Sequence, residues 1–396
     1  MRKATFAFVG AAICALTLMS SCKSDKTDVT APVKSEKTYA YMSGLDLKVN
    51  GRPMTGCTAT YTPGEEGNKA SVRISGMTVD INNLLGQIIN LSSQTKAELI
   101  RTSVTANVLP GSPVIYQDLT MDVDGDTGNF EGKGKTDFCS YTYKGSVTES
   151  ELKFYFENIK MNNTELENTT WSPILKSQTD RLISFEWKYT QKPEFPLNEI
   201  IQQALAEAYV TIDDQQVTLD QALAGVLTAV NFKDSGDWTI KYRTQGKVLP
   251  TELPIGIVNY VTNGKDQVRF FLNIGEMMSA IITNATKGAE QETLQKIMQA
   301  ASVFVAGNLN NGIMMRYEKK GDDLYLTLDS EILKQLLTSA STLLSDQGIQ
   351  ALLMQAIQEL DPEEQQLAMS ILTSLQDNIL KTESINLGVR LTKSSL

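Results

Sequence analysis

The sequence predicts a two-part, β-rich protein. An N-terminal antiparallel β-barrel of about eight strands is followed by an α+β domain, an antiparallel sheet with helices on one face. Three observations carry this expectation. Residues 38–164 alternate mostly with a period of two, cut by turn-forming pairs. Beyond residue 181, apolar residues begin to recur at helical spacing. Residues 256–301 align without gaps on 312–357, an internal repeat of strand, polar turn, strand and two helices.

The chain opens with Arg2 and Lys3, an apolar run from Ala4 to Met19, and then Ser20-Ser21-Cys22. A basic start, an apolar middle and small residues before a cysteine are the layout of a cleaved export signal over residues 1–21. The apolar run falls short of the roughly 20 residues a spanning helix needs, so it predicts a leader and not a transmembrane protein. Residues 22–37 mix Lys, Ser, Thr, Asp and Pro without apolar periodicity and read as a flexible tether.

In the barrel region, 38–164, alternation is plain in Leu45-Asp46-Leu47-Lys48-Val49, in Val72-Arg73-Ile74 and in Leu119-Thr120-Met121-Asp122-Val123. Ser103–Leu109, Phe138–Val147 and Leu152–Ile159 are further strand-like runs. Asn50-Gly51, Pro63-Gly64, Pro110-Gly111, Asp124-Gly125 and Lys144-Gly145 supply turn chemistry. Asn82–Leu99 reads as a short helix over one mouth. A barrel of this size encloses either packed side chains or one small ligand.

Residues 165–180, around Trp171-Ser172-Pro173, are polar and irregular and mark a linker; 181–396 form the second domain. There a strand over Leu182–Tyr189 precedes helical spacing in Leu197–Tyr209 and Val217–Val230, with Pro196 at the first helix start, where its missing N–H costs nothing. A strand is expected at Trp238–Thr244. In the repeat, Gly256-Ile257 falls on Gly312-Ile313, Asp266 on Asp322, and Met277, Ala280 and Ile281 on Leu333, Leu336 and Leu337. Asp361, Pro362, Glu363 and Glu364 open a last helix, Pro362–Leu380, with acids at the positive end of its dipole. A strand, Ile385–Leu391, closes the chain.

Composition narrows the chemistry. The 396 residues include no histidine, which excludes Ser-His and Cys-His nucleophile pairs and imidazole metal sites. Without Arg2 and Lys3 the basic residues number 34 against 46 acidic ones, a net of −12. Such a balance repels phosphate backbones and excludes nucleic acid as a partner. Cys14 leaves with the leader. Cys57 and Cys139 share the barrel region and either bond to each other or lie apart as buried thiols; spacing decides neither.

No catalytic, metal or cofactor site stands out. Asp122-Val123-Asp124-Gly125-Asp126 has oxygen ligands at alternate positions, but its glycine is misplaced and Glu131 comes too early for a calcium loop. An acidic turn explains it better. Asp322-Asp323 and Glu363-Glu364 are adjacent acids, not the opposed pair that glycoside hydrolysis needs. Gly132-Lys133-Gly134-Lys135 is a hairpin segment and not a phosphate cradle. Trp171, Trp187 and Trp238, with Tyr141 and Tyr143, are either a sugar-stacking platform or buried anchors, the commoner fate.

Met19-Ser20-Ser21-Cys22 resembles a bacterial lipobox, which implies that Cys22 is lipidated. With the polar tether, the barrel-like strand pattern and the α+β second half, the layout resembles the uncharacterised two-domain lipoproteins of Bacteroidetes. That resemblance covers nearly the whole chain and implies a calycin-like barrel and a lipid-anchored outer-membrane address. Lys23-Ser24-Asp25-Lys26 holds one acid and gives no clear export tag, so the periplasmic and cell-surface faces both stay open. The expected role is a lipid-anchored ligand-binding or scaffold module without catalysis. The barrel would hold a small apolar ligand and the second domain would contact an envelope protein. The alternatives are a carboxylate hydrolase acting on envelope or dietary glycans, and a structural subunit of an outer-membrane complex.

Overall fold

In a computed structural model of the chain, residues 30–80, 103–163, 165–177, 179–212, 215–244, 249–273, 310–344, 354, 357–358 and 360–394 are described. Cys22, the helix expected at 82–99 and the helices of the first repeat copy lie outside these residues.

Short strands joined by tight turns build the first unit: β1 (Lys37–Tyr41), β2 (Gly44–Val49), β3 (Arg52–Pro53), β4 (Thr58–Pro63), β5 (Lys69–Ser75), β6 (Thr78–Asp80), β7 (Ser103–Thr105), β8 (Val114–Asp124), β9 (Thr127–Lys135), β10 (Cys139–Val147) and β11 (Leu152–Met161). Eight of them close a barrel in the order β1-β4-β5-β8-β9-β10-β11-β2, with β2 returning to β1. The ring is mixed where an antiparallel one was expected, because β1–β2 and β11–β2 pair in parallel. Counting β1 and β2 as one broken pass, the chain makes seven passes, and an odd meander brings first and last strands together running the same way. The break lies at Met42, at a φ of 64°. Lys144-Gly145, expected as a turn, runs inside β10.

Alternation does what the sequence implied. Leu45, Leu47 and Val49 of β2, and Ala70, Val72 and Ile74 of β5, face the interior. Each large apolar side chain so buried contributes about 1.5–3 kcal/mol. Phe154 packs between Phe130, at a centroid distance of 5.4 Å, and Phe156, at 4.9 Å, and stacks on Tyr143 at 5.5 Å. These rings occupy the barrel interior, where a small apolar ligand was expected.

One seam of the wall is held by side chains. β8 pairs with β5 along Val114–Thr120 and with β9 only from Met121 to Asp124. Beyond that, Tyr141 and Tyr143 reach across Gly134 and Gly132, their partners in register on β9. A Cβ at either glycine would come within about 2.5 Å of the tyrosine it faces. The Tyr141 hydroxyl donates to Gln117 Oε1 (3.1 Å), Gln117 Nε2 donates to the Tyr143 hydroxyl (3.2 Å), and that hydroxyl donates to the Asp118 carbonyl (3.2 Å). Burial pushes the Tyr141 phenol up to about 12, so these hydroxyls stay protonated donors.

The tether is shorter than expected. Val33 is fully buried in the barrel core, and Pro32 lies over Gly128, where a Cβ would come within 2.9 Å of its ring. This apolar pair fills the barrel end beside Met121 and Val147.

The second unit comprises β12 (Thr169–Ser172), β13 (Ile183–Tyr189), α1 (Leu197–Glu207), β14 (Tyr209–Ile212), β15 (Gln215–Thr218), α2 (Leu219–Val226), β16 (Leu227–Phe232), β17 (Trp238–Tyr242), β18 (Thr251–Glu252), β19 (Val258–Asn263), β20 (Gln267–Leu272), β21 (Ile313–Lys320), β22 (Asp323–Leu328), α3 (Ser330–Leu344), α4 (Pro362–Leu380) and β23 (Thr382–Lys393). Its main sheet runs β18-β17-β16-β12-β23-β22-β21-β20-β19, with β13 beside β23, and every pairing is antiparallel. β12 falls inside the expected linker and belongs to this sheet: buried Trp171 anchors it. Val217–Val230, expected as a helix, is a strand, a short helix and a strand. Thr218 and Gln221 form a capping box that starts α2, and Leu227–Phe232 returns to the sheet.

The sheet curls until its ends meet in one bridge, Asp237 to Asn259, with the Tyr260 N–H donating to the Gly236 carbonyl at 2.8 Å. Phe232, Tyr260, Phe270 and Leu324 fill the hollow. α1, α3 and α4 pack around Trp187, Leu197 and Ile385. Both repeat copies give an antiparallel hairpin, β19–β20 and β21–β22. The aligned Gly256 and Gly312 both take positive φ, 91° and 74°.

The two units pack directly on each other. Val261 and Phe271 of the second sheet join the core of the first barrel. Asn310 clamps β7, its Nδ2 donating to the Ser103 carbonyl (2.9 Å) and its Oδ1 accepting from the Thr105 N–H (3.1 Å).

Candidate functional site

The junction leaves a cleft of about 500 Å³. The first unit supplies the β2–β3 turn, Asn107–Pro110 and the end of β11; the second supplies the 233–237 turn and residues around β19. Asn50 and Gly51 turn at φ of 47° and 79°, the positive-φ pair a two-residue hairpin needs. That turn carries Arg52 into the cleft. Its guanidinium lies over Gly256, where a Cβ would come within 2.2 Å of Cζ, so only glycine leaves room there.

Arg52 Nη1 stands 3.6 Å from Asp237 Oδ1. Asp237 is buried and already held: Asn259 Nδ2 donates to Oδ1 at 3.0 Å and Ser235 Oγ to Oδ2 at 2.7 Å. The pair closing the second sheet is therefore also the floor of the cleft. Arg52 Nε is buried without a hydrogen-bond partner. Asn107 is 7% exposed, and its side chain makes no hydrogen bond among the described residues. Lys233 and Asp234 complete the charged lining, and Met54, Ile159 and Ile255 add apolar surface. Two cations and two anions leave the lining formally neutral.

Such a lining can recognise and orient a polar ligand. Both oxygens of Asp237 accept hydrogen bonds, so it is no free base. Glu167 is pushed above the usual carboxylate range by burial first and then by the charge of Asp234.

Residues singled out in the sequence are dispersed. Trp171, Trp187 and Tyr141 with Tyr143 belong to three different cores, so no aromatic platform forms from them. Asp122–Asp126 spans the β8–β9 turn. Glu363 and Glu364 sit in the first turn of α4. Asp323 is buried, accepting from Lys176 Nζ at 2.6 Å and Thr392 Oγ1 at 2.8 Å. Cys57 and Cys139 are both buried and form no disulfide. Sequence reasoning missed Arg52, Asn107, Asp237 and Asn259. The only local signals were the Asn50-Gly51 turn and the turn-rich run Lys233-Asp234-Ser235-Gly236-Asp237, and neither says that the fold joins them.

Comparison of the chain with protein-family models, with curated proteins and with solved structures finds no match.

Proposed function

We propose that this protein is a lipid-anchored component of the bacterial envelope that works by binding, with the cleft between its two units as the ligand site. The observation that carries the reading is Asn107, a largely buried residue whose side chain makes no hydrogen bond among the described residues, in the lining of a cleft between two packed units. Buried polar groups are nearly always paired, and junctions of this kind are common ligand sites. The anchor rests on the Met19–Cys22 sequence and on the short leader. Among the described residues no helix is long and apolar enough to cross a membrane.

Native mass spectrometry of the full chain, extracted from cells in mild detergent, tests the binding role. The wild type should carry a bound mass that Ile255→Arg, a change at a half-exposed position of the cleft, loses. Protein that emerges empty in every preparation would rule the binding role out. Fatty-acid labelling of the wild type but not of Cys22→Ala checks the anchor. The raised Glu167 carboxyl beside Asp234 favours a second reading, a hydrolase acting on glycans. Glycan turnover by the wild type that Glu167→Gln abolishes would replace the passive role with that one.

A further inference from the structure

We infer that the cleft takes a neutral, hydroxyl-rich ligand, a mono- or disaccharide; this rests on the cleft being the binding site. Arg52 and Lys233 oppose Asp234 and Asp237, so an anion meets two carboxylates and a cation meets two bases. A neutral ligand meets neither penalty. The lining groups differ in kind: the Arg52 guanidinium only donates, Asp234 only accepts, and the Asn107 amide does both. A hydroxyl donates and accepts through one rotatable group, so a cluster of hydroxyls can match all three.

The same cleft presents Met54, Ile159 and Ile255. A sugar ring, with C–H faces and a polar rim, suits this mixture better than a uniformly polar or uniformly apolar molecule does. Strand addition by a peptide is disfavoured, because at Asn259 the edge of β19 already pairs with Asp237. A volume of about 500 Å³ lies within the range of small-molecule sites.

The test is saturation-transfer NMR on the full chain in detergent micelles. The probes are glucose, galactose, mannose, N-acetylglucosamine, maltose and lactose, with glucuronate, glucosamine and a blocked tetra-alanine as controls. At least one neutral sugar should give transfer, and Asn107→Leu should weaken it at least tenfold with an unchanged melting curve. Ile255→Arg should abolish it. Transfer only to a charged sugar or to the peptide, lost in the same variants, would overturn the saccharide assignment and leave the cleft as the binding site. No transfer to any probe would overturn the assignment, while a bound mass on the native protein would still uphold the site. Transfer that both variants leave intact would move sugar binding elsewhere and overturn the inference.

Discussion

The two units close their sheets by different means. The first has a backbone ladder at every joint of its ring, two of them parallel, with the short β8–β9 ladder extended by Tyr141, Tyr143 and Gln117, and its core is built of aromatic and aliphatic side chains. The second is wholly antiparallel and meets itself at the single bridge Asp237–Asn259. The buried polar residues follow that division. Asn107 belongs to the first unit, whereas Asp220, Asn231, Asp237, Thr239, Asn259, Asn273, Asp323, Asn378 and Arg390 belong to the second. Two of these, Asp237 and Asn259, sit at the bridge itself, and both also line the cleft, where a ligand can use them.

The sharpest way to break this contrast is to damage the sealed core. Phe154→Ala should cost about 3–5 kcal/mol, read as a lower urea midpoint. Because Val261 and Phe271 join that core, both units should unfold in one transition. Two separated transitions would show that they are energetically independent.

Asp237→Ala strikes the polar seam. It strips Asn259 and Ser235 of an acceptor and leaves Arg52 unpaired, at an expected cost of about 2–3 kcal/mol, discounted because Arg52 is partly exposed. Asp237→Asn keeps acceptor capacity and should recover part of the loss. A wild-type melting temperature for Asp237→Ala would mean that packing alone closes the second sheet.

The smallest effect is electrostatic. Burial alone would push the Asp323 carboxyl up, but hydrogen bonds from Lys176 and Thr392, with the charges of Lys176 and Arg390, outweigh it and hold the carboxyl below its ordinary value. Asp180 is lowered too, by the Lys176 backbone N–H and by Arg390. A depressed carboxyl stabilises the fold above its ordinary value of 3.8 and loses that stabilisation as the pH falls toward the folded value. Stability measured from pH 5 down to pH 2 should therefore fall less steeply in Asp323→Asn than in the wild type. Equal slopes would remove this cluster from the acid response.

Much of the fold was legible because turns and periodicity are local. Asn50-Gly51 and Asp124-Gly125 appear where expected, and the helix read from Asp361-Pro362 spans Pro362–Leu380 as foreseen. Lys144-Gly145 misled because a glycine inside a strand also serves a packed neighbour. A Cβ at Gly145 would come within 2.7 Å of the Phe130 ring. Leu227–Val230, the end of the helix expected over Val217–Val230, is strand because its apolar residues fit either period over so short a run and sheet pairing decides the matter. The cleft was not legible. Arg52 and Asp237 stand 185 positions apart, and only the closure of two sheets brings them together.

The buried Pro32-Val33 pair also sets a leash. Nine residues lie between Cys22 and Pro32, ten steps of chain that span at most about 35 Å when fully extended. An acyl chain on that cysteine would keep the body close against the lipid. It would tug on the barrel floor at the β8–β9 turn, while the cleft opens at the opposite end, beside Pro110 and Ile159. Tethered this way, the molecule would stand with its sealed base down and its open junction turned outward, toward whatever diffuses past.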